Sequence, residues 1–580
     1  MPADVDQSAF VEPADALVVI DWLNSEGAGL LPPRSANAPG PRIDVDNDGT
    51  ASSRDALLVV NLLNRPPDPL ALVAGLSPES DPNGNGVVLV DHIRVSGQTI
   101  AGARVVGRYA DDSPGNLAWT TADAAGRFAL ELPIDSQVQL VRITSYNDHG
   151  RTISRDVPVV LGDVVRDWNA AALDVVRAWT TTSNDPYEGR IVTAAPPVVA
   201  RNLAMLHGAM FDTINSFEKL YEPYLLQVDP PNDADPMIAA AFAAHTVATR
   251  LYGDSDERLV WDATLAESLA AMPAGFRWEA SEAVGKMVAE AMLSARSADG
   301  STIRREYQPG SQPGDWNRTA PGFLPPLLTN WPDVTPFAVS DPADYLPDPP
   351  PDLASVEYAT AVDEVMRLGE YSSSERTEDQ TEIALYWADG GGTFTPPGHW
   401  NQIASDAVGS LRLPLIESAR TMSLVNFALA DAGIVSWTTK YEYELWRPID
   451  AIRRADEDGN DQTQPAPDWM PLLVTPPFPS YTSGHSTFSG AAAAVLTTLL
   501  GDHYAFSSQA DSQSAPSQRP LADDLLTTRS FASFYEAAHE AGESRVFGGI
   551  HYRFDHEAGF QSGKAVGEYV ASTLLARKNS

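Results

Sequence analysis

The chain has 580 residues, a length that exceeds one compact domain and predicts two to four domains. Its content of 43% hydrophobic and 8% aromatic residues suffices for packed cores and excludes wholesale disorder. With 39 Lys and Arg against 78 Asp and Glu, the formal net charge of −39 argues against nucleic acid and anionic membranes as partners, whereas it favours solubility and calcium binding.

The absence of cysteine removes disulfides, thiolate nucleophiles and cysteine-based zinc sites. No run of about 18 apolar residues exists, so no membrane span is predicted. The first residues, Met-Pro-Ala-Asp, lack the basic and apolar regions of a signal peptide. The absence of cysteine fits an exported bacterial protein, so we expect a secreted, cell-surface or periplasmic location, with a signal peptide that is not present in this chain.

An internal repeat opens the chain, because residues 15–24 recur in similar form as residues 55–64. Each copy follows oxygen-bearing side chains at the spacing of an EF-hand calcium loop. The second loop would bind calcium through Asp44, Asp46, Asp48, Thr50, Ser52 and Asp55. The first loop would use Asp4, Asp6, Ser8, Phe10, Glu12 and Asp15. Gly49 occupies the turn position of the second loop, whereas Ala9 replaces glycine in the first.

Two such loop–helix units resemble a dockerin module, and the resemblance covers residues 1–66. It implies calcium in both loops and attachment to a cohesin-like protein partner. A single Asp-rich turn arises easily by chance, so the repetition with its shared helix is what favours calcium. The Pro-rich segment 65–69 is interpreted as the linker that ends the module.

Residues 67–168 change to short alternating strands, predicted at 87–90, 92–95, 104–107 and 128–132. Turns rich in Gly, Asn, Asp and Pro separate them, and residues 123–128 are predicted as a hairpin turn that enters a strand. This pattern resembles an immunoglobulin-like or carboxypeptidase-regulatory-like β-sandwich. It contains no recognisable chemistry, so we interpret the region as a spacer.

Residues 169–580 are predicted to form one large, mainly α-helical domain. Apolar residues at three- and four-residue spacing predict helices over 196–219, 236–252, 411–436 and 563–576. Pro-rich stretches such as residues 347–351 are predicted as loops between helices or at the mouth of a site.

Three segments of this domain contain candidate anion-binding groups. In the first, Lys440 and Arg447 are followed by Pro448. Their spacing of seven residues, about two helical turns, predicts both cations on one helix face. Alone, such a pair is usually a solvated helix face.

The second segment, residues 478–485, leads into an Ala-rich helix. Thr482 or Ser483 is the predicted N-cap, and Gly484 would let an oxyanion approach the free backbone N–H groups of the first turn. The segment ends on His485. Taken alone, it fits an ordinary capped helix with an incidental histidine equally well.

The third segment, residues 544–555, contains Arg545, His551 and Asp555. Asp555 follows His551 by four residues, about one helical turn, so its carboxylate is predicted to hold an imidazole N–H. Such a contact fixes which ring nitrogen faces a ligand.

In this order, Lys-x6-Arg-Pro, Pro-Ser-x-x-Ser-Gly-His and Ser-Arg-x5-His-x3-Asp resemble the signature shared by vanadium-dependent haloperoxidases and PAP2-type acid phosphatases. The resemblance extends across roughly residues 168–580 and includes 387–390 and 396–401. It implies an α-helical bundle that holds a phosphate-shaped oxyanion at its helix ends. The three cations fit this reading, because an oxyanion removed from water must be neutralised and the arginine fork suits paired oxygens.

The resemblance also implies a role for each residue. The vanadate cofactor would be bound by Lys440, Arg447, Ser483, Gly484, Arg545 and His551. His551 would be the vanadium ligand, and Asp555 would orient it. His485 would be the acid–base catalyst, Lys440 would polarise a peroxide oxygen, and Asp389 would restrain the cations and tune the acidity of bound oxygen.

The same groups serve phosphate chemistry, in which His551 would attack phosphorus and His485 would protonate the leaving alcohol. Trp437 and Phe478 match positions where chloroperoxidase-like members place bulky aromatic residues beside vanadate. Such an apolar wall suits a halide better than a large phosphoester, although plain core packing also explains both residues. The length of the domain points away from the smaller phosphatases as well.

We therefore expect a vanadate-dependent haloperoxidase that uses hydrogen peroxide to oxidise bromide or chloride to hypohalous acid, which halogenates an organic acceptor. A PAP2-type acid phosphatase acting on phosphomonoesters through a histidine nucleophile is the alternative. A catalytically silent, calcium-dependent scaffold is the third possibility. The remaining histidines are interpreted as structural or surface groups, for example His207, His245, His399, His503, His539 and His556.

Overall fold

The computed structural model describes residues 5, 13–30, 43, 45, 50–64, 71–77, 80, 87–88, 92–109, 118–133, 140–146, 152–161, 163–181, 195–253, 255–270, 277–411, 413–511 and 528–578. The chain divides into two compact units, Met1–Val164 with Ala266–Arg277, and Val165–Leu265 with Trp278–Ser580. Within the described residues, no helix is both long and apolar enough to cross a membrane.

The N-terminal repeat forms two helices whose first turns make equivalent hydrogen bonds. The elements are α1 (Pro13–Glu26), β1 (Gly29–Leu30), β2 (Thr50–Ala51) and α2 (Ser53–Asn64), with β1 and β2 antiparallel. Asp15 and Asp55 are buried at the beginnings of the two helices. Their carboxylates accept hydrogen bonds from the backbone N–H of Val5 (2.5 Å) and Val45 (2.7 Å), respectively. The sequence repeat is therefore also a structural repeat.

The predicted calcium ligands are only partly described. Ser52 donates its backbone N–H to Asp55 Oδ2 over 2.8 Å, which places two predicted ligands of the second loop side by side. Thr50 and Asp15 are described as well. The others lie outside the described residues: Asp4, Asp6, Ser8, Phe10, Glu12, Asp44, Asp46 and Asp48.

The next stretch is made of β-strands, of which β5, β6 and β8 are close to predicted ones. The strands are β3 (Val73–Leu76), β4 (Val87–Val88), β5 (His92–Gln98), β6 (Arg104–Tyr109), β7 (Ala118–Thr121), β8 (Arg127–Pro133), β9 (Leu140–Tyr146), β10 (Thr152–Pro158) and β11 (Val160–Leu161). Antiparallel pairing gives the sheets β3-β5-β8 and β10-β9-β6-β7, and β4 pairs in parallel with β11. Side chains from both antiparallel sheets share one hydrophobic core.

The predicted hairpin at residues 123–128 is wrong in one respect. A tight turn does enter β8, with Gly126 at φ +79° and its N–H bonded to the carbonyl of Asp123 over 2.9 Å. However, β7 pairs with β6 and β8 pairs with β5, so the turn joins two different sheets. Turn residues indicate where the chain reverses, whereas burial of Phe128, Leu130 and Leu132 in the shared core decides the pairing.

The rest of the described chain is mainly helical, as predicted. Its helices are α3 (Val164–Thr181), α4 (Pro196–Glu218), α5 (Pro236–Leu251), α6 (Ser255–Ala270), α7 (Glu279–Ala295), α8 (Val356–Leu368), α9 (Glu378–Tyr386), α10 (Thr395–Leu411), α11 (Leu415–Tyr443), α12 (Pro448–Arg453), α13 (Gly484–Leu500), α14 (Phe534–Phe547) and α15 (Arg553–Thr573). Strands β12 (Phe506–Ser508) and β13 (Arg529–Phe531) form a short antiparallel pair.

Two of the four predicted helices match the structure closely. Helices α4 and α5 match the predictions for 196–219 and 236–252 within one residue. The prediction for 411–436 is displaced, because α10 ends at Leu411 and α11 begins after Pro414 and continues to Tyr443. The prediction for 563–576 covers only the second half of α15.

Close packing of α13 against α15 positions the loops in front of both helices. A Cβ at Gly563 would lie 1.9 Å from the carbonyl oxygen of Thr487, and one at Gly567 would lie 2.3 Å from that of Ala491. Glycine at these two positions therefore allows the helix backbones to approach. At the N-terminal ends, the Ser483 N–H donates to the Asp555 carbonyl over 3.0 Å.

Candidate active site

Lys440 and Arg447 do not lie on one helix face, so that prediction is wrong. Helix α11 ends at Tyr443, and Glu444 adopts the left-handed conformation with φ 48°. Arg447 is extended (φ −81°, ψ 155°) and directly precedes α12, which begins at Pro448. The physical reason is that proline disfavours helical backbone in the residue before it and is well suited to the first position of a new helix.

The Lys440 ammonium group is fully buried in the last turn of α11. It donates to the carbonyl oxygens of Pro479 (3.0 Å), Ser480 (2.9 Å) and Thr482. Burial, and then the positive charge of Arg447, holds the pKa of Lys440 well below its ordinary value. A bound anion beside this group would stabilise its charged form.

Arg447 is anchored on one side and unsatisfied on the other. Its Nε donates to the Phe478 carbonyl (2.8 Å) and its Nη1 to the Ile550 carbonyl (2.8 Å), while Nη1 also lies 3.1 Å from His551 Nε2. Its Nη2 is buried and has no hydrogen-bond partner within the described part of the chain. Burial lowers the pKa of Arg447 to about 9. A buried donor without a partner is costly, so this guanidinium is suited to donate a hydrogen bond to a bound acceptor such as an anion oxygen.

Arg545 and His485 form a second contact at the ends of α14 and α13. Arg545 Nη1 lies 3.3 Å from His485 Nε2, and Nη2 donates to the Ala384 carbonyl over 3.2 Å. Burial lowers the pKa of Arg545 to about 10, against the opposing charge of Asp389. Burial, and then the charge of Arg545, holds the pKa of His485 well below its ordinary value. The imidazole is therefore neutral near pH 7, as a proton acceptor must be.

Ser483 and Gly484 begin helix α13. The Ser483 hydroxyl accepts the backbone N–H of Ser486 over 3.3 Å, so Ser483 is the N-cap, one of the two predicted residues. Gly484 is the first helical residue, and a Cβ there would lie 3.4 Å from the Trp437 ring. Glycine thus leaves room beside the ring and next to a helix end that favours anions.

His551 is held by Asp555 in the loop that enters α15. Its Nδ1 lies 2.8 Å from Asp555 Oδ2, which also accepts the hydroxyl of Ser480 (2.5 Å) and the N–H of Tyr552 (3.2 Å). Burial raises the pKa of Asp555 to about 6. Because Nδ1 faces the carboxylate, Nε2 faces Arg447, where it could coordinate a metal centre.

Ser480 is a site residue that the sequence analysis did not assign, although it stands in the Pro-Ser-x-x-Ser-Gly-His motif. We expect Ser480→Ala to weaken the binding of an oxyanion by about 10-fold, because the Asp555 carboxylate loses one partner that orients it toward His551. Isothermal titration with vanadate measures this. Ser423→Ala, which removes another buried hydroxyl (2.8 Å from the His207 carbonyl), serves as the control. Equal dissociation constants for Ser480→Ala and the wild type would contradict the role.

Part of this set lines a cavity of about 280 Å³, and Lys440 and Arg447 lie against Phe478 of its wall, 5.1 and 4.9 Å from the ring centroid. Its lining includes His485, Arg545 and His551 together with the rings of Trp437 and Phe478. The two rings lie 4.9 Å apart at 52°. Trp437 and Phe478, for which core packing was the other interpretation, thus form a cavity wall beside the cationic groups.

Asp389 lines the same cavity but pairs with a residue outside the predicted set. Both of its carboxylate oxygens lie near His399 Nδ1, at 3.2 and 3.3 Å. Its charge acts on Arg545, whereas the carboxylate that acts on Lys440 is Asp555. His399, grouped in the sequence analysis with structural or surface histidines, is fully buried next to the cavity.

The donor set fits an oxyanion better than a bare cation. Within the described residues, no three His, Asp or Glu side chains cluster as a metal site. Arg545 and the first residues of α13 instead line the space next to His551, and Arg447 contacts His551 Nε2 while its own Nη2 lacks a partner among the described residues. This combination suits a tetrahedral or five-coordinate oxyanion with one nitrogen ligand.

Comparison with known proteins agrees with this geometry. Residues 420–578 match the family model of the VCPO second helical-bundle domain, and residues 2–64 match the dockerin type I domain. The chain is 26% identical over 464 residues to the vanadium chloroperoxidase of Curvularia inaequalis, covering 63% of this chain and 75% of that protein.

Two solved structures extend the likeness. A bacterial vanadium-dependent iodoperoxidase has 26% identity and a TM-score of 0.60, covering 72% of this chain and 98% of its own. A holo-type bacterial vanadium-dependent chloroperoxidase has a TM-score of 0.53, covering 65% and 91%, and at 16% identity it supports the fold. The chain is therefore a homologue of the vanadium-dependent haloperoxidases that begins with a region matching the dockerin type I family.

Proposed function

We propose that the protein is a vanadate-dependent haloperoxidase that uses hydrogen peroxide to oxidise a halide to hypohalous acid, which then halogenates an organic acceptor. The observation that carries this proposal is an apolar cavity lined by Arg545, His485 and His551, where the guanidinium of Arg447 contacts His551 Nε2 over 3.1 Å and its Nη2 has no partner within the described part of the chain. The sequence likeness to the chloroperoxidase and the iodoperoxidase supports it.

The protein would bind vanadate through complementary charge. Lys440, Arg447 and Arg545 neutralise the oxyanion, and Ser483 and Gly484 offer a hydroxyl and a backbone N–H at the start of α13. His551 Nε2 is the nitrogen ligand. When bound, vanadate supplies a Lewis acid that activates peroxide without a change in its own oxidation state.

Three side chains would then support the reaction. The neutral imidazole of His485 takes the proton of hydrogen peroxide, because its Nε2 lies at the cavity beside Arg545. The Lys440 ammonium would polarise a peroxide oxygen. A halide attacks that oxygen, the O–O bond breaks, and hypohalous acid and water form with the uptake of one proton. Asp389 restrains Arg545 through its charge. The water-poor aromatic wall of Trp437 and Phe478 favours a weakly hydrated halide at that oxygen.

One assay separates this activity from the phosphatase alternative. Metal-free protein is tested with p-nitrophenyl phosphate, and the same preparation is tested for bromination of a phenol dye with hydrogen peroxide before and after vanadate is added. Vanadate-dependent bromination without phosphate release is the expected result, and chloride and iodide in parallel give the halide preference. Phosphate release without bromination would support the phosphatase instead.

The N-terminal part would have a separate role. We propose three domains: a calcium-binding dockerin module (1–66), an immunoglobulin-like spacer (67–168) and the catalytic domain (169–580). The two-sheet core of the described strands supports the spacer. The dockerin likeness supports a cohesin-like partner and a secreted or cell-surface bacterial location.

Calcium titration of the full-length chain tests the loops. We expect two calcium ions per chain, one for each repeat, and Asp55→Ala should remove one of them because Asp55 occupies the acidic position 12 of the second loop. Asp123→Ala is the control, since its carboxylate only accepts turn N–H groups such as that of Ala125. The absence of calcium heat in the wild type would contradict the proposal.

A further inference from the structure

A buried histidine–carboxylate pair lies at the edge of the cavity, with Asp389 in the lining and His399 bonded to it. Asp389 is only 5% exposed, and His399 is fully buried on the first turns of α10. Asp389 has φ +44°, in the left-handed region where residues other than glycine are uncommon. Such a conformation costs free energy and is tolerated where the surrounding structure holds it in place.

The His399 ring is held on two sides by aromatic residues. It stacks on Trp387 with centroids 4.5 Å apart at 28°, and it meets Phe394 edge-on at 5.8 Å. Trp387 in turn donates its Nε1–H to Glu540 over 3.0 Å, and Glu540 belongs to α14, the helix that also contains Arg545. The ring is therefore fixed relative to one of the vanadate-binding arginines.

Asp389 is the hydrogen-bond partner of the His399 ring. Within the described part of the chain, its Nε2 is buried without a hydrogen-bond partner, while Nδ1 faces the carboxylate. If His399 served packing alone, phenylalanine would cost less to bury, because among the described residues the desolvated imidazole gains hydrogen bonds only from Asp389.

The segment that ends in Asp389 also contacts the two cavity groups. Arg545 Nη1 donates to the Ala388 carbonyl over 3.5 Å, and the backbone at Trp387 and Ala388 interacts with His485. The position of this segment thus affects both the cation and the acid–base group.

We propose that His399 is a positioning residue: by donating its Nδ1–H to Asp389, it keeps that carboxylate and its segment in place, so that Arg545 remains available to the oxyanion. Without this bond, Asp389 would turn toward Arg545 and neutralise charge that the bound anion needs. The inference rests on the proposed function only in that the cavity binds an oxyanion.

Two variants of the full-length chain test the proposal, with orthovanadate and inorganic phosphate as separate titrants of the metal-free protein. H399F keeps an aromatic ring on Trp387 but loses the donor, and we expect the dissociation constants of both anions to rise about 10-fold. H399N keeps a donor in place of Nδ1 but loses the ring, and we expect it to retain wild-type affinity. His207→Phe removes a buried bond to Asn169 (3.1 Å) elsewhere and should leave both affinities unchanged.

The outcomes separate this inference from the proposed function. If the wild type binds neither anion, the oxyanion site itself is refuted. If the wild type binds and folded H399F binds equally well, the positioning role is refuted while the proposed function stands. Should H399F fail to fold, H399N decides alone, because a rise of about 10-fold in its dissociation constants would assign the effect to ring packing.

Discussion

Replacement of His551 by alanine is expected to abolish vanadate retention, and halide oxidation with it. Asp555 holds His551 Nδ1 at 2.8 Å, so Nε2 is the nitrogen that faces the cavity, where a bound ligand would replace Arg447 Nη1 (3.1 Å) as its partner. We expect the vanadate dissociation constant to rise by more than about 100-fold, since the loss of a ligand exceeds the cost of losing an outer partner.

Isothermal titration of the metal-free variant measures the effect, with phosphate as a second titrant. Phosphate binding depends mainly on the cationic side chains and little on a nitrogen ligand. The affinity for phosphate should therefore fall less than the affinity for vanadate. His245→Ala, which removes a histidine paired with Asp262 outside the cavity lining, is the matched control. Vanadate binding that survives His551→Ala at wild-type affinity would exclude His551 as the vanadium ligand.

Replacement of His485 by alanine is expected to separate binding from turnover. The side chain is not among the groups proposed to bind vanadate, so vanadate affinity should change little. The rate of bromide oxidation should fall by about 100- to 10,000-fold, the usual contribution of a positioned acid–base group. Stopped-flow or steady-state bromination with saturating vanadate measures the rate, and a full bromide-oxidising rate in His485→Ala would contradict the assigned role.

The pH profile gives an independent check on His485. Its pKa is held well below the ordinary value by burial and by Arg545, so the neutral base persists when the pH falls below 7. Wild-type activity should therefore fall only as the pH drops through this lowered pKa. A bound anion shifts the acidic limb of the pH–activity profile to higher pH, because negative charge favours the imidazolium form of His485. In His485→Ala this acidic limb should be absent.

Local sequence patterns predicted the parts of the site that depend on neighbouring residues. The Ser483 cap follows from the start of one helix, and the contact between His551 and Asp555 follows from one turn of spacing. The placement of Lys440 and Arg447 failed because helical spacing was carried past Tyr443, where the helix ends, to Arg447, which precedes a new helix. Their common position against the Phe478 ring is a tertiary feature, and no local periodicity describes it.

The contacts that sequence reasoning missed join distant parts of the chain. Ser480 reaches Asp555 across 75 residues, and Arg545 reaches the Ala388 carbonyl across 157 residues. The partner of His399 is only 10 residues away, but the left-handed turn at Asp389 brings the two together. Such pairs depend on helix packing and backbone conformation, which a single sequence specifies only through the complete fold.

The most direct test of the proposed cavity chemistry is a titration of metal-free protein with vanadate, with the rate of bromide oxidation by hydrogen peroxide measured at each step. We predict that the rate rises linearly and saturates at one vanadate per chain, and that excess phosphate suppresses it because both oxyanions compete for Lys440, Arg447 and Arg545. Bromide oxidation that is independent of vanadate, or one bound equivalent of vanadate without any oxidation, would contradict the account.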